Sequence, residues 1–161
     1  MLSPTVKTLG AALIGTTALV APALAQAREV TLNVQMEQYR GPAAYFAIYL
    51  TDPAGNYAST LWLAGTKSKY QRHLRGWARA ISSAGGRVDG ISGASVGSGR
   101  QLSVSLNISD ALIDAGYTIH VDTAVEDHRD ARDAIVAPLS SAIAGQPQTG
   151  NGHMRALTVN M

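Results

Sequence analysis

The segment Tyr45-Phe46-Ala47-Ile48-Tyr49-Leu50 decides the fold. It is rich in residues that favour β-strands and is apolar on both faces, as expected for a strand at the centre of a sheet. The turn Asp52-Pro53-Ala54-Gly55-Asn56 follows, in which proline fixes one φ angle and glycine allows another that most residues avoid. A second apolar stretch, 57–63, then returns along the first. These residues predict a β-hairpin around which the remaining strands assemble.

Alternating apolar and polar residues predict further strands on either side of this hairpin. The first has one buried face of four apolar residues, Val30, Leu32, Val34 and Met36. The same period of two recurs downstream in the segments 102–107, 117–123 and 154–161, and the apolar segment 134–139 is a further predicted strand. Strands do not alternate with helices as in a βαβ fold. The sequence therefore predicts an all-β fold, an immunoglobulin-like antiparallel β-sandwich of about seven strands with one helical insertion.

The helical insertion is predicted over residues 67–81. Ser68 is the expected N-cap, and Gly85-Gly86 is the expected end. Most of the positive charge falls on one face, and the other face carries four larger side chains at helical spacing, Tyr70, Leu74, Trp77 and Ile81. The aromatic residues of that face either pack on the sandwich or contact a ligand, and the spacing fits both.

Residues 1–25 have the pattern of a secretory signal peptide. A single lysine precedes an apolar run that ends in Ala-x-Ala, the pattern that signal peptidase cleaves. Cleavage is expected after Ala25, with Ala27 as the second choice. A retained membrane anchor is the competing interpretation, although the run is short of the about 20 apolar residues that a span needs. The remaining residues, 26–161, have the size of a single periplasmic domain.

Composition excludes several kinds of site and partner. The chain has no cysteine, which excludes disulfides and thiolate metal sites. Its formal charge of +2 includes Lys7 in the signal peptide, so the exported domain is close to neutral. Its basic residues are scattered apart from the cluster in the predicted helix. We therefore expect no nucleic-acid partner.

A glycine-rich segment, Asp89-Gly90-Ile91-Ser92-Gly93-Ala94-Ser95, lies between the helix and the later strands. It can curl into a nest of backbone N–H donors that suits a phosphate, or it is a solvated loop between two elements. Residues 93–97 also match Gly-x-Ser-x-Gly, the pattern of a hydrolase nucleophile elbow. That motif needs a strand-to-helix turn in an α/β sheet, whereas a strand follows here, so we take the match as accidental.

The four histidines do not have the sequence spacing of metal ligands. They fall on the predicted helix, in a strand, at a hairpin tip and near the last strand, as His73, His120, His128 and His153 respectively. We therefore expect no metal site, and each histidine is expected to lie on the surface or to take part in packing.

The segment from Asp89 to Ser95 resembles the Asp-x-x-Ser/Thr-Gly-Ala-Ser/Thr signature that bacterial flavin transferases of the ApbE type modify. Such an enzyme attaches FMN through its phosphate to the last hydroxyl of the signature. The resemblance implies attachment at Ser95, with Asp89, Ser92, Gly93 and Ala94 as the recognition sequence. The last residue is usually threonine, and serine keeps the hydroxyl that a phosphoester needs.

From about Tyr39 onward the chain is similar to a predicted periplasmic family of unknown function, number twenty-two seventy-one, often found beside PepSY-type membrane proteins. The similarity covers the hairpin, the helical segment, the glycine-rich segment and Glu126-Asp127-His128. The two resemblances imply a periplasmic carrier of electrons, rather than a catalyst with its own substrate, whose partners are a flavin transferase and a PepSY-type membrane redox protein. Tyr70 or Trp77 is then expected to contact the isoalloxazine ring.

A second function is compatible with the same residues. The chain is alternatively a cofactor-free binding or scaffold module of an export or metal-uptake system, in which the glycine-rich segment and the basic helix dock a partner. Intact-mass measurement after co-expression with the flavin transferase separates the two.

Overall fold

The computed structural model describes residues 26–88 and 90–161. In chain order the elements are β1 (Ala27–Met36), β2 (Tyr45–Thr51), β3 (Tyr57–Ala64), α1 (Ser68–Gln71), α2 (Arg75–Ser83), β4 (Ile91–Gly93), β5 (Gln101–Ser109), β6 (Thr118–Ala124), β7 (Ala131–Pro138), β8 (Pro147–Thr149) and β9 (Met154–Asn160). One sheet has the order β5-β1-β9-β8, and the other has the order β4-β3-β2-β6-β7. We refer to them as the first and the second sheet.

The two sheets enclose one hydrophobic core. In the first sheet, β1 lies between β5 and β9 and is antiparallel to both. Val30, Leu32 and Val34 are almost completely buried in this core, whereas the residues between them are partly exposed. The alternation predicted for the first strand is therefore confirmed, because a strand presents every second side chain to the same face.

β2 is the central strand of the second sheet, as the sequence predicts. Residues 46–51 are all buried. Phe46, Ile48 and Leu50 face the core between the sheets. Tyr49 belongs to a second apolar cluster on the outer face of the second sheet, which α2 covers. The strand is apolar on both faces because both faces are covered.

The predicted helix is in fact two helices, α1 and α2, because residues 72–74 leave the helical path. Ser68 is the first residue of α1 and not its N-cap, so that prediction is wrong. Neither N-cap residue, Lys67 or Leu74, makes a side-chain cap hydrogen bond, and α2 begins after the fully buried Leu74. Tertiary packing therefore determines where α2 starts. The predicted buried face is confirmed for Leu74, Trp77 and Ile81.

The strand arrangement confirms the predicted all-β sandwich, with seven long strands. In the first sheet β1 pairs with β5, as strand B pairs with strand E in immunoglobulin domains. In the second sheet the order β3-β2-β6-β7 matches the order of strands C′, C, F and G. β9 pairs with β1 in the place of strand A. The two three-residue strands, β4 and β8, have no sequence signal. β8 lies in the stretch between the predicted strands 134–139 and 154–161, and it pairs with β9.

Two predictions concern residues that the structure does not describe. The signal peptide, 1–25, and Asp89 both lie outside the described residues. Within the described ranges, no helix is long and apolar enough to cross a membrane.

Candidate functional site

The glycine-rich segment forms an edge strand and not an open loop. Its residues 91–93 are β4, which runs parallel to the end of β3. The pairing aligns Ile91 with Trp62 and Gly93 with Ala64. Ser92 is exposed on this strand. The prediction of a loop is therefore wrong for these residues, because β3 has an unpaired edge whose N–H and C=O groups β4 satisfies.

Close approach to β3 requires the glycines of this segment. A Cβ atom at Gly93 would lie 2.5 Å from Cζ2 of Trp62, and a Cβ atom at Gly90 would overlap the carbonyl of Thr60. Neither Gly90, Gly93 nor Gly97 has a positive φ angle. The predicted nest of N–H donors is not formed by residues 91–93, because an extended strand does not alternate the backbone conformations that a nest needs.

Ser95 lies just beyond β4 on a backbone that is fixed on both sides. Before it, the carbonyl of Gly93 accepts a hydrogen bond from the N–H of Gly65 at 2.8 Å. After it, Val96 and Ala44 exchange two backbone hydrogen bonds of 2.8 and 3.0 Å. Ser95 itself is half-buried, and its hydroxyl makes no hydrogen bond to any described residue. The position thus combines a fixed main chain with an unengaged hydroxyl.

Gly65 connects this segment to an aromatic pair on α1 and β2. Its N–H bonds to Gly93, and its carbonyl accepts a hydrogen bond from Nε2 of Gln71 at 3.0 Å. The ring of Tyr45 packs so closely on Gly65 that a Cβ atom there would overlap it. The rings of Tyr45 and Tyr70 lie 5.0 Å apart at an angle of 48°. Tyr70 is therefore linked to the glycine-rich segment by three successive contacts, through Tyr45 and Gly65.

Tyr70 is held at the wall of a small cavity. Its hydroxyl donates a hydrogen bond to Oε1 of Glu126 at 2.9 Å. The ammonium group of Lys69 lies 4.4 Å from the centre of the Tyr70 ring. The cavity has a volume of about 220 Å³ and is lined by residues of β2, α1 and the β6–β7 hairpin, including Tyr45, Tyr70, Glu126 and His128.

Trp77, the other aromatic residue predicted to contact a ligand, is a packing residue. It is 4 % exposed, and its indole N–H donates a hydrogen bond to Oγ1 of Thr60 at 3.0 Å. Its backbone N–H donates to Oδ2 of Asp122 at 2.8 Å. The Trp77 ring therefore packs between α2 and the outer face of the second sheet.

Asp122 is a structural residue that the sequence does not reveal. It is completely buried on the outer face of the second sheet. Oδ2 receives the N–H of Trp77 in the first turn of α2, and Oδ1 receives the N–H of Asp133 on β7 at 3.0 Å. A carboxylate at the N-terminus of a helix satisfies free N–H groups and interacts favourably with the helix dipole. Asp122 therefore fastens α2 to β6 and β7.

Two of the four histidines meet. Nε2 of His153 lies 3.3 Å from Nδ1 of His128, and the ring of Tyr39 packs edge-on against both. Burial, together with the neighbouring His128, lowers the pKa of His153. His73 and His120 instead pair with Asp130 and Asp133. Among the described residues, no group of three or more His, Cys, Asp or Glu could hold a metal ion.

These features define a two-sheet β-sandwich of immunoglobulin-like arrangement, with a helix on one sheet and a glycine-rich edge strand beside it. The chain belongs to the family described as Predicted periplasmic protein (DUF2271), whose model matches residues 27–156. The match covers the second sheet, the glycine-rich segment and the first sheet except the end of β9. No curated protein and no solved structure matches the chain.

Proposed function

We propose that this protein is a periplasmic electron carrier that holds FMN through a phosphoester at Ser95 and exchanges electrons with a PepSY-type membrane redox protein. The observation that carries the proposal is the state of Ser95, whose half-exposed hydroxyl has no hydrogen-bond partner among the described residues. Backbone hydrogen bonds at Gly93 and Val96 hold the residue in place. A flavin transferase needs a hydroxyl that it can reach and that stays in one position.

The residues around Ser95 suit a flavin. Tyr45 and Tyr70 offer aromatic surface, and Gly65 connects them to the glycine-rich segment. The cation of Lys69 beside Tyr70 supplies positive charge, which favours an anionic reduced ring. Because Trp77 is buried, we assign the contact with the isoalloxazine ring to Tyr70. Bound FMN would supply one- and two-electron transfer, while the chain fixes the attachment point and sets the charge and polarity around it.

Co-expression with an exported ApbE-type flavin transferase, followed by intact-mass measurement, tests the proposal. We expect the protein to gain the mass of one FMN less one water. The variant Ser95→Ala should show no gain, because the residue that forms the phosphoester is lost. The variant Ser95→Thr keeps the hydroxyl and restores the commoner residue of the signature, so it should be modified at least as fully as the parent.

Two controls make the result decisive. Tandem mass spectrometry of the modified peptide should place the added mass on Ser95 and not on the exposed Ser92. Circular dichroism should show that Ser95→Ala folds like the parent. An unmodified parent protein, or a gain in mass that persists in Ser95→Ala, would contradict the attachment at Ser95.

A cofactor-free binding or scaffold module is the second candidate function, and one observation favours it. Both Gly90 and Gly93 are needed for packing against β3, so their presence does not require a flavin transferase. β4 is also an edge strand, and its unpaired side could receive a strand of a partner. If the intact mass shows no FMN, capture of a partner through β4 becomes the function to test.

A further inference from the structure

A second and larger cavity lies on the outer face of the second sheet. It has a volume of about 580 Å³ and opens between α2, the turn after β2 and the β6–β7 pair. This volume falls in the range of sites for small molecules. The side chains most relevant to binding are Tyr49, Arg79, His120, Arg132 and Asp133. No residue of β4, nor Ser95, lines it, so its function does not rest on FMN attachment.

The floor of this cavity carries a polar group without a partner. Tyr49 is 3 % exposed, and its hydroxyl makes no hydrogen bond to any described residue. The hydroxyl lies beside Gly76, where a Cβ atom would be 2.9 Å from it. Burial, reinforced by the nearby carboxylates of Asp122 and Asp133, raises the pKa of Tyr49. The hydroxyl therefore stays protonated and can donate a hydrogen bond to a ligand in the cavity.

A network of hydrogen bonds fixes the wall next to Tyr49. The ring of His120 stacks on the Tyr49 ring, with the centres 5.2 Å apart and the planes at 18°. Nδ1 of His120 lies 2.9 Å from Oδ1 of Asp133, and Nε2 lies 3.1 Å from Oγ1 of Thr51. Because both ring nitrogens are engaged, the imidazole is held in one orientation. A wall that is fixed before binding costs little conformational entropy when a ligand enters.

The mouth of the cavity is positively charged. Arg79 on α2 and Arg132 on β7 line the cavity and also an adjoining open groove. Arg75 and Arg129 add two more guanidinium groups to that groove. Arg79 makes no ion pair with any described residue, whereas Arg132 lies 3.3 Å from Asp133. Four arginines thus line the cavity and the groove together with two carboxylates, those of Asp130 and Asp133. The carboxylate of Asp122 is buried near the Tyr49 hydroxyl, so four positive charges stand against three negative ones, and such an excess attracts anions.

We propose that this cavity binds a small oxyanion ligand, a carboxylate or a phosphate compound. Its anionic group binds the guanidinium groups of Arg79 and Arg132, because the planar fork of arginine matches the oxygens of carboxylates and phosphates. A second acceptor atom of the ligand accepts a hydrogen bond from the Tyr49 hydroxyl. Arg79 and Arg132 attract the anionic group of the ligand. The Tyr49 hydroxyl selects ligands that place an acceptor at the floor of the cavity.

Titration of the purified exported protein with inorganic phosphate and with citrate, followed by NMR chemical shifts at constant ionic strength, tests the proposal. We expect saturable shifts centred on α2 and β7. The double variant Arg79→Gln/Arg132→Gln should weaken binding at least tenfold. Tyr49→Phe should weaken citrate binding several-fold, because it removes only the hydroxyl. Arg155→Gln removes an exposed arginine of the first sheet and should leave the affinity unchanged.

The two probes also distinguish the ligand class. Saturation by phosphate alone assigns the site to phosphate compounds, saturation by citrate alone assigns it to carboxylates, and saturation by both assigns it to oxyanions in general. Absence of saturation by either probe would overturn the proposal. So would a loss of affinity in Arg155→Gln equal to that in the double variant, since binding would then follow overall charge and not this cavity.

Discussion

The two ends of β3 hold polar sites of different construction. At the Tyr57 end, side chains line the larger cavity, with the hydroxyl of Tyr49 at its floor and a fixed imidazole on His120. At the Ala64 end, backbone hydrogen bonds of Gly65 and Val96 hold an exposed segment whose side chains are mostly small. A concave site lined by polar side chains suits reversible binding of a small ligand. An exposed, backbone-held segment suits modification by another enzyme, which must surround the residue that it modifies.

The two sites also depend on different kinds of interaction. The shape of the cavity depends on the Asp122 carboxylate, because its hydrogen bonds hold α2 against β6 and β7. The position of the glycine-rich segment depends on the close approach of its glycines to Trp62 and Thr60. Loss of a buried charge interaction should therefore affect the first region most, and added side-chain volume should affect the second region most.

The largest effect is expected at Asp122. In Asp122→Ala the N–H groups of Trp77 and Asp133 lose their acceptor inside the protein, so we expect a loss of about 3 kcal/mol in the free energy of unfolding. Urea unfolding measures it. Asp52→Ala is the control, because Asp52 also accepts two backbone N–H hydrogen bonds, from Ala54 and Asn56, but does so in the exposed hairpin turn. Equal losses in the two variants would show that burial of Asp122 is not what matters.

A smaller effect is expected from added volume at Gly93. In Gly93→Ala the new methyl group meets the Trp62 ring at 2.5 Å, so β4 must move away from β3. We expect a loss of about 2 kcal/mol in the free energy of unfolding, the usual cost of overpacking. Gly97→Ala is the control, since its Cβ atom would lie 3.5 Å from Cγ of Arg100, an ordinary contact. Urea unfolding of both should show a loss at Gly93 alone.

The histidine pair should make the protein less stable in acid. Burial and His128 lower the pKa of His153 below its usual 6.5, so the folded chain binds a proton there less readily than the unfolded chain. As the pH falls through 6.5, the unfolded chain gains a proton that the folded chain lacks, and the free energy of unfolding decreases until the folded pKa is passed. At neutral pH this penalty is absent.

Urea midpoints between pH 5 and 8 test this expectation. His153→Gln should lessen the decrease in acid, by an amount smaller than the losses at Asp122 and Gly93. His73→Gln, which removes an exposed histidine paired with Asp130, should not lessen it. A decrease of the same size in His153→Gln and in the parent would assign the acid sensitivity to other groups.

The sequence predicts those parts of the fold that have local causes. The buried face of β1 follows from alternation, and the hairpin of β2 and β3 follows from its turn residues, so both are confirmed. β4 is only three residues long and pairs in parallel, and no periodicity marks it. Its place depends on the free edge of β3, which is a property of the assembled sheet and not of residues 91–93.

The sites could be predicted only where their residues are contiguous. Ser95 stands in a short signature, so a resemblance identifies it. Tyr49, His120 and Asp133 come from three strands and meet only after the sheet has formed. Alternation in β6 places Asp122 on one face, but nothing local shows that α2 covers that face. A buried carboxylate therefore looks, in sequence, like one of the exposed polar residues of a strand.

The smallest effect is expected at Ser95, and it sharpens the contrast between a residue proposed for modification and a structural one. The Ser95 hydroxyl has no hydrogen bond to a described residue, so Ser95→Ala should change the free energy of unfolding by less than about 0.5 kcal/mol. Ser98→Ala, three residues along, removes the acceptor of the Tyr39 N–H at 2.8 Å and should cost about 1 kcal/mol. Urea unfolding of the unmodified proteins measures both. A loss at Ser95 as large as that at Ser98 would mean that its hydroxyl is engaged in the fold and is not held free for attachment.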